Sequence, residues 1–247
     1  MQKENVIFVL VRPSFLGNIG STARVMKNFG FHNLRLVNPP RNYLDAEARK
    51  MAVDAFDVLK KAKVESTLSA ALTDVNLAFS TSSCQQRKDI PRALASVVQE
   101  IEERDYSAAN KIAFVFGNER NGLTSDEIAR CHELIAIPTD ETFVSLNLAQ
   151  ALGIVAYELS RNQGVKVLTA ASSAAEAEIL PPGESEDELM DLLTELMDKA
   201  DFSRRFNSEK VKVQIRGALQ KMRPNQREFD LLRGLLLNLN DKLKTVK

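Results

Sequence analysis

Hydrophobic and polar positions follow two different patterns along the first two-thirds of the 247-residue chain. Short runs rich in Val, Ile, Leu and Phe predict buried strands that begin at residues 5, 33, 63, 76, 111 and 133. Between them, apolar residues recur at helical spacing and predict helices over residues 21–30, 44–62, 92–106, 124–131 and 145–164, with a short one ending near residue 74. This alternation indicates an α/β fold, in which helices flank both faces of a parallel sheet.

The last third of the chain has a different pattern. Residues 162–184 are small and polar with interspersed Pro and Gly, as is typical of a linker. Three amphipathic helical patterns follow, the last of them rich in leucine. The sequence therefore predicts an α/β domain over residues 1–163, a linker over residues 164–184, and a small C-terminal helical module over residues 185–247.

Composition and charge narrow the class of protein. Apolar residues make up 44% of the chain and charged residues 27%, which is ordinary for a soluble globular protein. No apolar run is long enough to span a membrane, and two cysteines make no disulfide framework, so we expect a cytoplasmic protein. The net charge is zero, yet residues 1–50 and the chain after residue 204 are basic, whereas residues 176–201 are acidic. Basic blocks can bind phosphates, although solvated helix faces explain them equally well.

Unusual loops follow four of the predicted strands. They cover residues 12–20, 80–87, 116–123 and 137–147. In a parallel α/β sheet, ligands bind outside the carboxyl ends of the strands. We therefore expect these four loops to form one binding site.

The first loop holds Gly17 and Gly20 in the sequence GNIG, with Arg24 one turn further along the predicted helix. It is neither a Walker loop nor a dinucleotide fingerprint. A structural turn between strand and helix explains such a glycine pair. The functional alternative is that Asn18 and Arg24 add polar groups to a helix start, where backbone N–H groups favour an anion.

The second and third loops carry further polar side chains. GNERNGL, residues 117–123, places Gly117 and Glu119 directly after a strand, where the glycine would let the backbone approach a ligand. A plain turn with a surface ion pair is the alternative interpretation. In the third loop, Ser145 is a candidate helix N-cap, and Asn147 would lie in the first turn.

Taken together and in order, the three loops resemble the three motifs of the SPOUT methyltransferases, specifically the SpoU–TrmH branch. Those motifs are Asn-x-x-x-x-x-Arg, Gly-x-Glu-x-x-Gly-Leu and Ser-Leu-Asn. In this sequence they correspond to Asn18 with Arg24, to residues 117–123, and to residues 145–147. The stretch VSLNLAQALGIVAYEL and the basic tail with RPNQREFDLLRGLL narrow the resemblance to the tRNA (cytidine/uridine-2′-O)-methyltransferases of that branch.

The resemblance implies a fold, a cofactor and a set of site residues. It implies a deep trefoil knot in the C-terminal part of the catalytic domain, and it implies S-adenosylmethionine as the cofactor. The expected cofactor-binding residues are Thr81, Ser82, Ser83, Gly117, Ile137, Val144, Ser145 and Leu146. The expected catalytic residues are Asn18, Arg24, Glu119, Ser145 and Asn147. We expect no metal, because Cys131 and His132 lack further side chains at ligand spacing.

The implied reaction is methyl transfer to a ribose 2′-oxygen of tRNA, by family precedent at nucleotide 32 of the anticodon loop. The resemblance also implies a homodimer in which Arg24 reaches toward the partner's cofactor. A guanidinium keeps its proton, so we expect Arg24 to act as a fixed cation rather than as a base. Phosphate contacts are expected from the basic residues of the tail, namely Lys210, Lys212, Arg216, Arg223, Arg227 and Arg233.

Three alternatives stay open. The chain could methylate ribosomal RNA, or it could be a binding protein that keeps the fold but has lost catalysis. An unrelated doubly wound nucleotide-binding protein is the third, and the missing phosphate fingerprints argue against it.

Overall fold

A computed structural model describes residues 2–82, 90–104, 109–161, 180–200, 202 and 208–245. The expected cofactor residue Ser83 and most of the expected linker lie outside these ranges. Within them, no helix combines the length and apolar character needed to cross a membrane.

The described residues form one seven-stranded sheet in which every neighbouring pair is parallel. Its strands are β1 Val6–Val11, β2 Asn33–Val37, β3 Lys63–Glu65, β4 Leu77–Thr81, β5 Arg92–Ala93, β6 Ile112–Phe116 and β7 Glu133–Ala136. Their order across the sheet is β3-β2-β1-β6-β4-β7-β5. The predicted α/β class with a parallel sheet is confirmed, and the trefoil knot stays a prediction.

Helices cover both faces of the sheet. In the α/β part they are α1 Leu16–Asn28, α2 Ala46–Ala52, α3 Phe56–Lys61, α4 Leu68–Leu72, α5 Leu94–Glu103, α6 Ser125–Ile128 and α7 Leu148–Arg161. Phe8 and Leu10 of β1 point into the larger core cluster, which α1, α2, α3, α5 and α7 cover. Ile7 and Val9, which alternate with them, point to the opposite cluster beneath α4 and α6. Burial on both faces explains why the central strands are almost continuously apolar.

Helix α1 begins earlier than the sequence predicted. We expected a glycine-rich turn followed by a helix from residue 21, but α1 starts at Leu16, so both glycines lie within its first turns. A Cβ atom on Gly20 would lie 2.2 Å from the backbone oxygen of Ala48 in α2. Gly20 is therefore required by the close contact between α1 and α2 rather than by a turn.

Three further helices, α8 Gly183–Lys199, α9 Ser208–Met222 and α10 Gln226–Thr245, form the C-terminal module. They share a small apolar core of Leu189, Leu219 and Phe229. The start of this C-terminal module is bound to the α/β part, because the Gly183 N–H donates to the Val75 oxygen at 2.8 Å. The last residues of the expected linker are thus anchored to the sheet domain, while the predicted domain boundaries themselves stay predictions.

Arg223 in the tail has a structural partner, contrary to its expected role as an exposed phosphate contact. Its side chain is only 6% exposed, and its guanidinium bonds Glu100 at 2.7 Å and also Glu133. These carboxylates belong to α5 and β7, so the ion pairs fasten the module to the edge of the sheet. Arg216 is similarly paired with Asp187, at 2.8 Å.

Replacing Gly20 by Ala tests the α1–α2 contact. The added methyl group would meet the Ala48 backbone, so Gly20→Ala should lower the free energy of unfolding by about 2 kcal/mol or more. Gly217→Ala is the matched control, because in the described structure no atom apart from the chain neighbours and backbone of its own helix lies within 4 Å of its Cβ position in α9. That variant should be neutral or up to about 1 kcal/mol more stable. Urea denaturation measures both, and equal stability of the two variants would contradict the proposed contact.

Candidate active site

Four loops with unusual sequences meet at one edge of the sheet. They follow β1, β4, β6 and β7, and these strands are direct neighbours in the order β1-β6-β4-β7. Because all of them are parallel, their carboxyl ends lie side by side. The expectation that these loops come together is therefore confirmed for their described residues.

The first of two adjoining pockets lies directly at these strand ends and has a volume of about 450 Å³. We call it the strand-end pocket. Its walls include every expected cofactor-binding residue that the structure describes: Thr81, Ser82, Gly117, Ile137, Val144, Ser145 and Leu146. Polar side chains of the loop after β6 line the same space, among them Asn118 and Asn121.

The loop after β6 folds back tightly on itself. A Cβ atom on Gly117 would lie 2.3 Å from the carbonyl carbon of Gly122, and Gly122 has a φ of +64°. The Gly122 N–H donates to the Asn118 oxygen at 2.7 Å, which closes the loop. We predicted that Gly117, which has no side chain, leaves room for a ligand. The structure shows instead that the backbone of its own loop occupies the space that a side chain would need.

The second pocket, of about 490 Å³, lies between the start of α1 and the loop before α7. We call it the helix-start pocket. It brings together four of the five expected catalytic residues, namely Asn18, Glu119, Ser145 and Asn147. Glu119, Ser145 and Leu146 line both pockets, so the two spaces share a wall.

A chain of hydrogen bonds joins three of these side chains. The amide of Asn147 donates to Asn18 Oδ1 at 2.8 Å, and the amide of Asn18 donates to Glu119 Oε1 at 2.9 Å. Asn147 and Glu119 come from the loops after β7 and β6, and Asn18 lies in the first turn of α1, directly after the loop that follows β1. Their side chains therefore hold these loops and the start of α1 in one arrangement.

Glu119 also occupies the N-terminal end of α1. Its two carboxylate oxygens accept the backbone N–H groups of Ser14 at 2.8 Å and Phe15 at 3.2 Å. The Gly17 N–H is bound by a second carboxylate, that of Glu47, at 3.1 Å. We expected this helix start to favour an external anion; the anions found there are the protein's own side chains.

Asn147, rather than Ser145, caps helix α7. Its side-chain oxygen accepts the N–H of Ala149 at 2.9 Å, and α7 begins at Leu148. Ser145 lies exposed ahead of the helix, and its hydroxyl has no hydrogen-bond partner among the described residues. The hydroxyl is therefore available to a molecule bound in either pocket.

Arg24 is the one expected catalytic residue that lies apart from the others. It is exposed on α1 and lines neither pocket. Across the described ranges it makes no ion pair or hydrogen bond with another residue. Within a single chain the structure does not bring it to the other four.

Sequence reasoning missed two supports of the site. Asn118 donates to the Arg12 oxygen at 2.7 Å and to the Ser14 hydroxyl at 2.6 Å, which ties the loop after β6 to the loop after β1. Its position beside Glu119 was a usable signal. Arg12 in turn is bound by Glu127, whose own partner Thr124 completes the capping box of α6.

The Arg12–Glu127 pair also helps to lower the pKa of Glu127. Burial is the largest single influence and would raise the pKa of this carboxyl, but the hydrogen bonds from Arg12 and Thr124 together with the positive charge of Arg12 outweigh it and hold the pKa below its ordinary value. The stability that this pair contributes is therefore present above the ordinary carboxyl pKa and is lost as the pH falls through the lowered value.

No metal centre is found in the part of the chain that the structure covers, since no three His, Cys, Asp or Glu side chains cluster there. Cys131 is buried, and burial raises the pKa of its thiol to about 12. Its thiol therefore stays protonated at neutral pH and is a poor nucleophile.

Comparison with known proteins matches residues 5–157 to the model of the SpoU rRNA Methylase family. A protein of Sodalis glossinidius named tRNA (cytidine/uridine-2′-O-)-methyltransferase TrmJ is 34% identical over 97% of this chain and 93% of its own. A protein of the same name from Yersinia pestis (strain Pestoides F) is also 34% identical, with the same coverage. The crystal structure of TrmJ from Z. mobilis ZM4 superposes with a TM-score of 0.79 at 31% identity, covering 95% of this chain and 98% of that one.

Glu119→Gln tests whether the Glu119 carboxylate holds the loops of the site together. Glutamine keeps one acceptor oxygen but replaces the other with an N–H₂ group. That group cannot accept the hydrogen bonds that the second carboxylate oxygen accepted. The free energy of unfolding should therefore fall by about 2 kcal/mol. Glu141→Gln is the control, because Glu141 is an exposed carboxylate in the same region with no partner among the described residues. Equal denaturation midpoints for both variants would show that the Glu119 carboxylate does not hold the loops of the site together.

Proposed function

The chain belongs to the SpoU rRNA Methylase family, and from that membership we propose that it is a cytoplasmic S-adenosylmethionine-dependent methyltransferase acting on a ribose 2′-oxygen of tRNA. The membership confirms the resemblance that the three motifs indicated. The observation that carries the proposal is that residues from each of the three motifs line two adjoining pockets, with Arg24 the exception. The choice of tRNA rests on the named relatives, whose similarity extends over the C-terminal module as well.

The strand-end pocket fits the proposed cofactor. Its volume of about 450 Å³ is in the range of small-molecule sites, and its walls combine apolar side chains with backbone and amide groups. Ile137, Val144 and Leu146 would pack against the adenine, while Thr81, Ser82 and Gly117 offer polar groups to the rest of the molecule. Bound there, S-adenosylmethionine would supply a methyl group on a positively charged sulfur.

The helix-start pocket is the proposed place of the ribose. After their mutual hydrogen bonds, Asn18 and Asn147 each keep one amide N–H that can donate to a ribose oxygen. The Ser145 hydroxyl lies on the wall shared with the strand-end pocket, so it can hold the 2′-hydroxyl toward the methyl group. Held by these residues, the 2′-oxygen would lie in line for the methyl group that S-adenosylmethionine would supply, and the 2′-hydroxyl would give up its proton. Positioning of the two reacting atoms then supplies most of the rate enhancement.

Glu119 is a positioning residue in this scheme. Both of its carboxylate oxygens already accept hydrogen bonds, from the backbone N–H groups of Ser14 and Phe15 and from the Asn18 amide. A proton on either oxygen would displace one of these donors. We therefore assign the 2′-hydroxyl proton to water or to a phosphate oxygen of the RNA.

We place Arg24 in the site of a second chain. A groove of about 1130 Å³ runs between α1 and α7, and it is lined by apolar residues that include Val25, Phe29, Ile154 and Tyr157. Tyr157 is 52% exposed in the single chain, so a second copy would bury it. Pairing of two chains along this groove would carry Arg24 to the partner's pockets, where a fixed cation would stabilise the negative charge that develops on the 2′-oxygen.

The tail offers positive charge to a folded RNA. Lys221 and Arg227 are exposed and have no ion-pair partner in the described ranges, in contrast to the buried Arg223. Single-stranded loops present individual nucleotides to a protein, which suits nucleotide 32 of the anticodon loop. Ribosomal RNA is the alternative substrate, and the description of the family favours testing it.

The first test is methyl transfer from labelled S-adenosylmethionine to unmodified tRNA transcripts, followed by digestion and identification of the nucleosides. We expect a labelled 2′-O-methylnucleoside that maps to nucleotide 32. Arg24→Ala should lower the rate at least about 100-fold while cofactor affinity changes little. If only ribosomal RNA were labelled, ribosomal RNA would replace tRNA as the proposed substrate. If no RNA were labelled, a non-catalytic binding protein would be the remaining interpretation.

Mixed dimers separate a shared site from a site within one chain. Arg24→Ala would be mixed with Ile137→Glu, which should abolish cofactor binding because Ile137 lines the strand-end pocket. If Arg24 serves the partner's site, the mixture should regain about a quarter of the activity of the unaltered protein. No recovery, with both variants dimeric by analytical ultracentrifugation, would place Arg24 in its own chain's site.

Two arginines of the tail are predicted to have different roles, one in RNA binding and one in stability. Arg227→Ala should weaken tRNA binding and reduce the slope of log affinity against log salt by about one, without changing stability. Arg223→Ala should instead destabilise the protein, because it leaves Glu100 and Glu133 without this partner. Filter binding at several salt concentrations and thermal denaturation measure the two effects. Equal effects of both variants on tRNA binding at unchanged stability would refute this division.

A further inference from the structure

Two aromatic side chains stand on the wall of the helix-start pocket and have no role in the scheme above. Phe15 is 46% exposed and Phe143 is 79% exposed, and both line the pocket together with Asn18 and Asn147. Leaving a phenylalanine ring in water forgoes the free energy of burying it. Two such rings beside polar side chains in a functional pocket indicate a surface that a ligand covers.

The exposure of Phe143 is built into its loop. The Phe143 N–H donates to the Asp140 oxygen at 3.2 Å, and the Asp140 side chain accepts the Thr142 N–H at 2.9 Å. The Thr139 hydroxyl donates to the Val144 oxygen at 3.3 Å, across the same turn. These bonds fix the backbone on both sides of Phe143, so the turn itself presents the ring to solvent.

Phe15 is held just as firmly on the other element of the pocket. Its N–H is bound by Glu119, the residue that joins the three loops. The Arg120 guanidinium lies 5.8 Å from the centre of its ring, in the range of a cation–π contact. Phe15 comes from the loop after β1 and Phe143 from the loop after β7, so the two rings line the pocket from separate loops.

The charges in the pocket indicate which part of a nucleotide it takes. Glu47 and Glu119 both line it, and two carboxylates disfavour a phosphate there. A neutral base and its ribose are compatible with them. A base also needs a new stacking partner once it leaves the stack of an RNA loop, and aromatic side chains supply one.

We propose that Phe143 stacks on the base of the nucleotide that is methylated, with Phe15 closing the opposite side of the pocket. The proposal rests on the proposed function. It extends that function from the ribose to the base and adds a substrate-binding residue outside the three motifs. Stacking needs only the π face that every base has, so this contact would hold the nucleotide without selecting the base.

The test uses three substitutions of Phe143 in the full-length protein. Alanine removes the ring, leucine keeps apolar bulk without a π face, and tyrosine keeps the ring. We expect kcat/KM for tRNA to fall about 10- to 100-fold for both Phe143→Ala and Phe143→Leu, chiefly through KM, and to stay within about threefold for Phe143→Tyr. The affinity for S-adenosylmethionine and the oligomeric state should be unchanged in all three.

A spectroscopic measurement reports on the stacking itself. Pyrrolocytidine, whose fluorescence is quenched by stacking, would replace nucleotide 32 in a tRNA transcript. The unaltered protein and Phe143→Tyr should quench its emission, whereas Phe143→Leu at saturating concentration should not.

Four outcomes would overturn the proposal. If Phe143→Leu matched the unaltered protein in kinetics and in quenching, the ring would be only an apolar contact. If Phe143→Ala dissociated the dimer, Phe143 would belong to the subunit interface, and if it lost cofactor affinity, to the cofactor site. If the unaltered protein methylated no RNA, the stacking proposal would fall together with the proposed function. In the first three cases, methylation by the unaltered protein would leave the proposed function standing.

Discussion

The arrangement of the site depends on one carboxylate placed at the start of one helix. Glu119 accepts the N–H groups of Ser14 and Phe15 and the side-chain amide of Asn18, which in turn accepts from Asn147. A negative charge at a helix N-terminus is stabilised by the unpaired N–H groups and the helix dipole. Because this charge comes from the loop after β6, the same bonds that cap α1 also fix the distance between loops that are far apart in the sequence.

This arrangement limits the chemistry that the site can perform. Both carboxylate oxygens of Glu119 are occupied by hydrogen-bond donors, so its side chain is suited to holding Asn18 in place. Among the described residues that line the helix-start pocket, the side-chain groups that can donate to a substrate are the remaining amide N–H groups of Asn18 and Asn147 and the Ser145 hydroxyl, none of which is a strong base at neutral pH. Such a set suits a reaction with a highly activated electrophile, in which alignment of the reacting atoms contributes more than proton transfer.

The sequence predicted what depends on local pattern, and it failed where a distant partner decides. Apolar runs identified six of the seven described strands, whereas the two-residue β5, Arg92–Ala93, lies in a stretch predicted to be helical. The motif loops met at the sheet edge as expected. Gly20 was interpreted as part of a turn because its contact with Ala48 belongs to the tertiary structure. Ser145 resembled a cap, but the cap is Asn147, which also bonds Asn18 across the site. Arg223 was assigned to RNA because nothing nearby in the sequence shows that Glu100 and Glu133 enclose it.

Helix α1 links the proposed site to the proposed assembly. Its first turn carries Asn18 into the helix-start pocket, and Arg24 lies about 9 Å further along the axis, at a rise of about 1.5 Å per residue. Between the two, Ser21 lines the groove toward α7. Since a helix of this length behaves as a rigid rod, a second chain seated in that groove would fix where each Arg24 points, and Glu119 fixes where each Asn18 points. In the proposed dimer, the geometry of each active site would therefore be set by the packing of the two chains as much as by either chain alone.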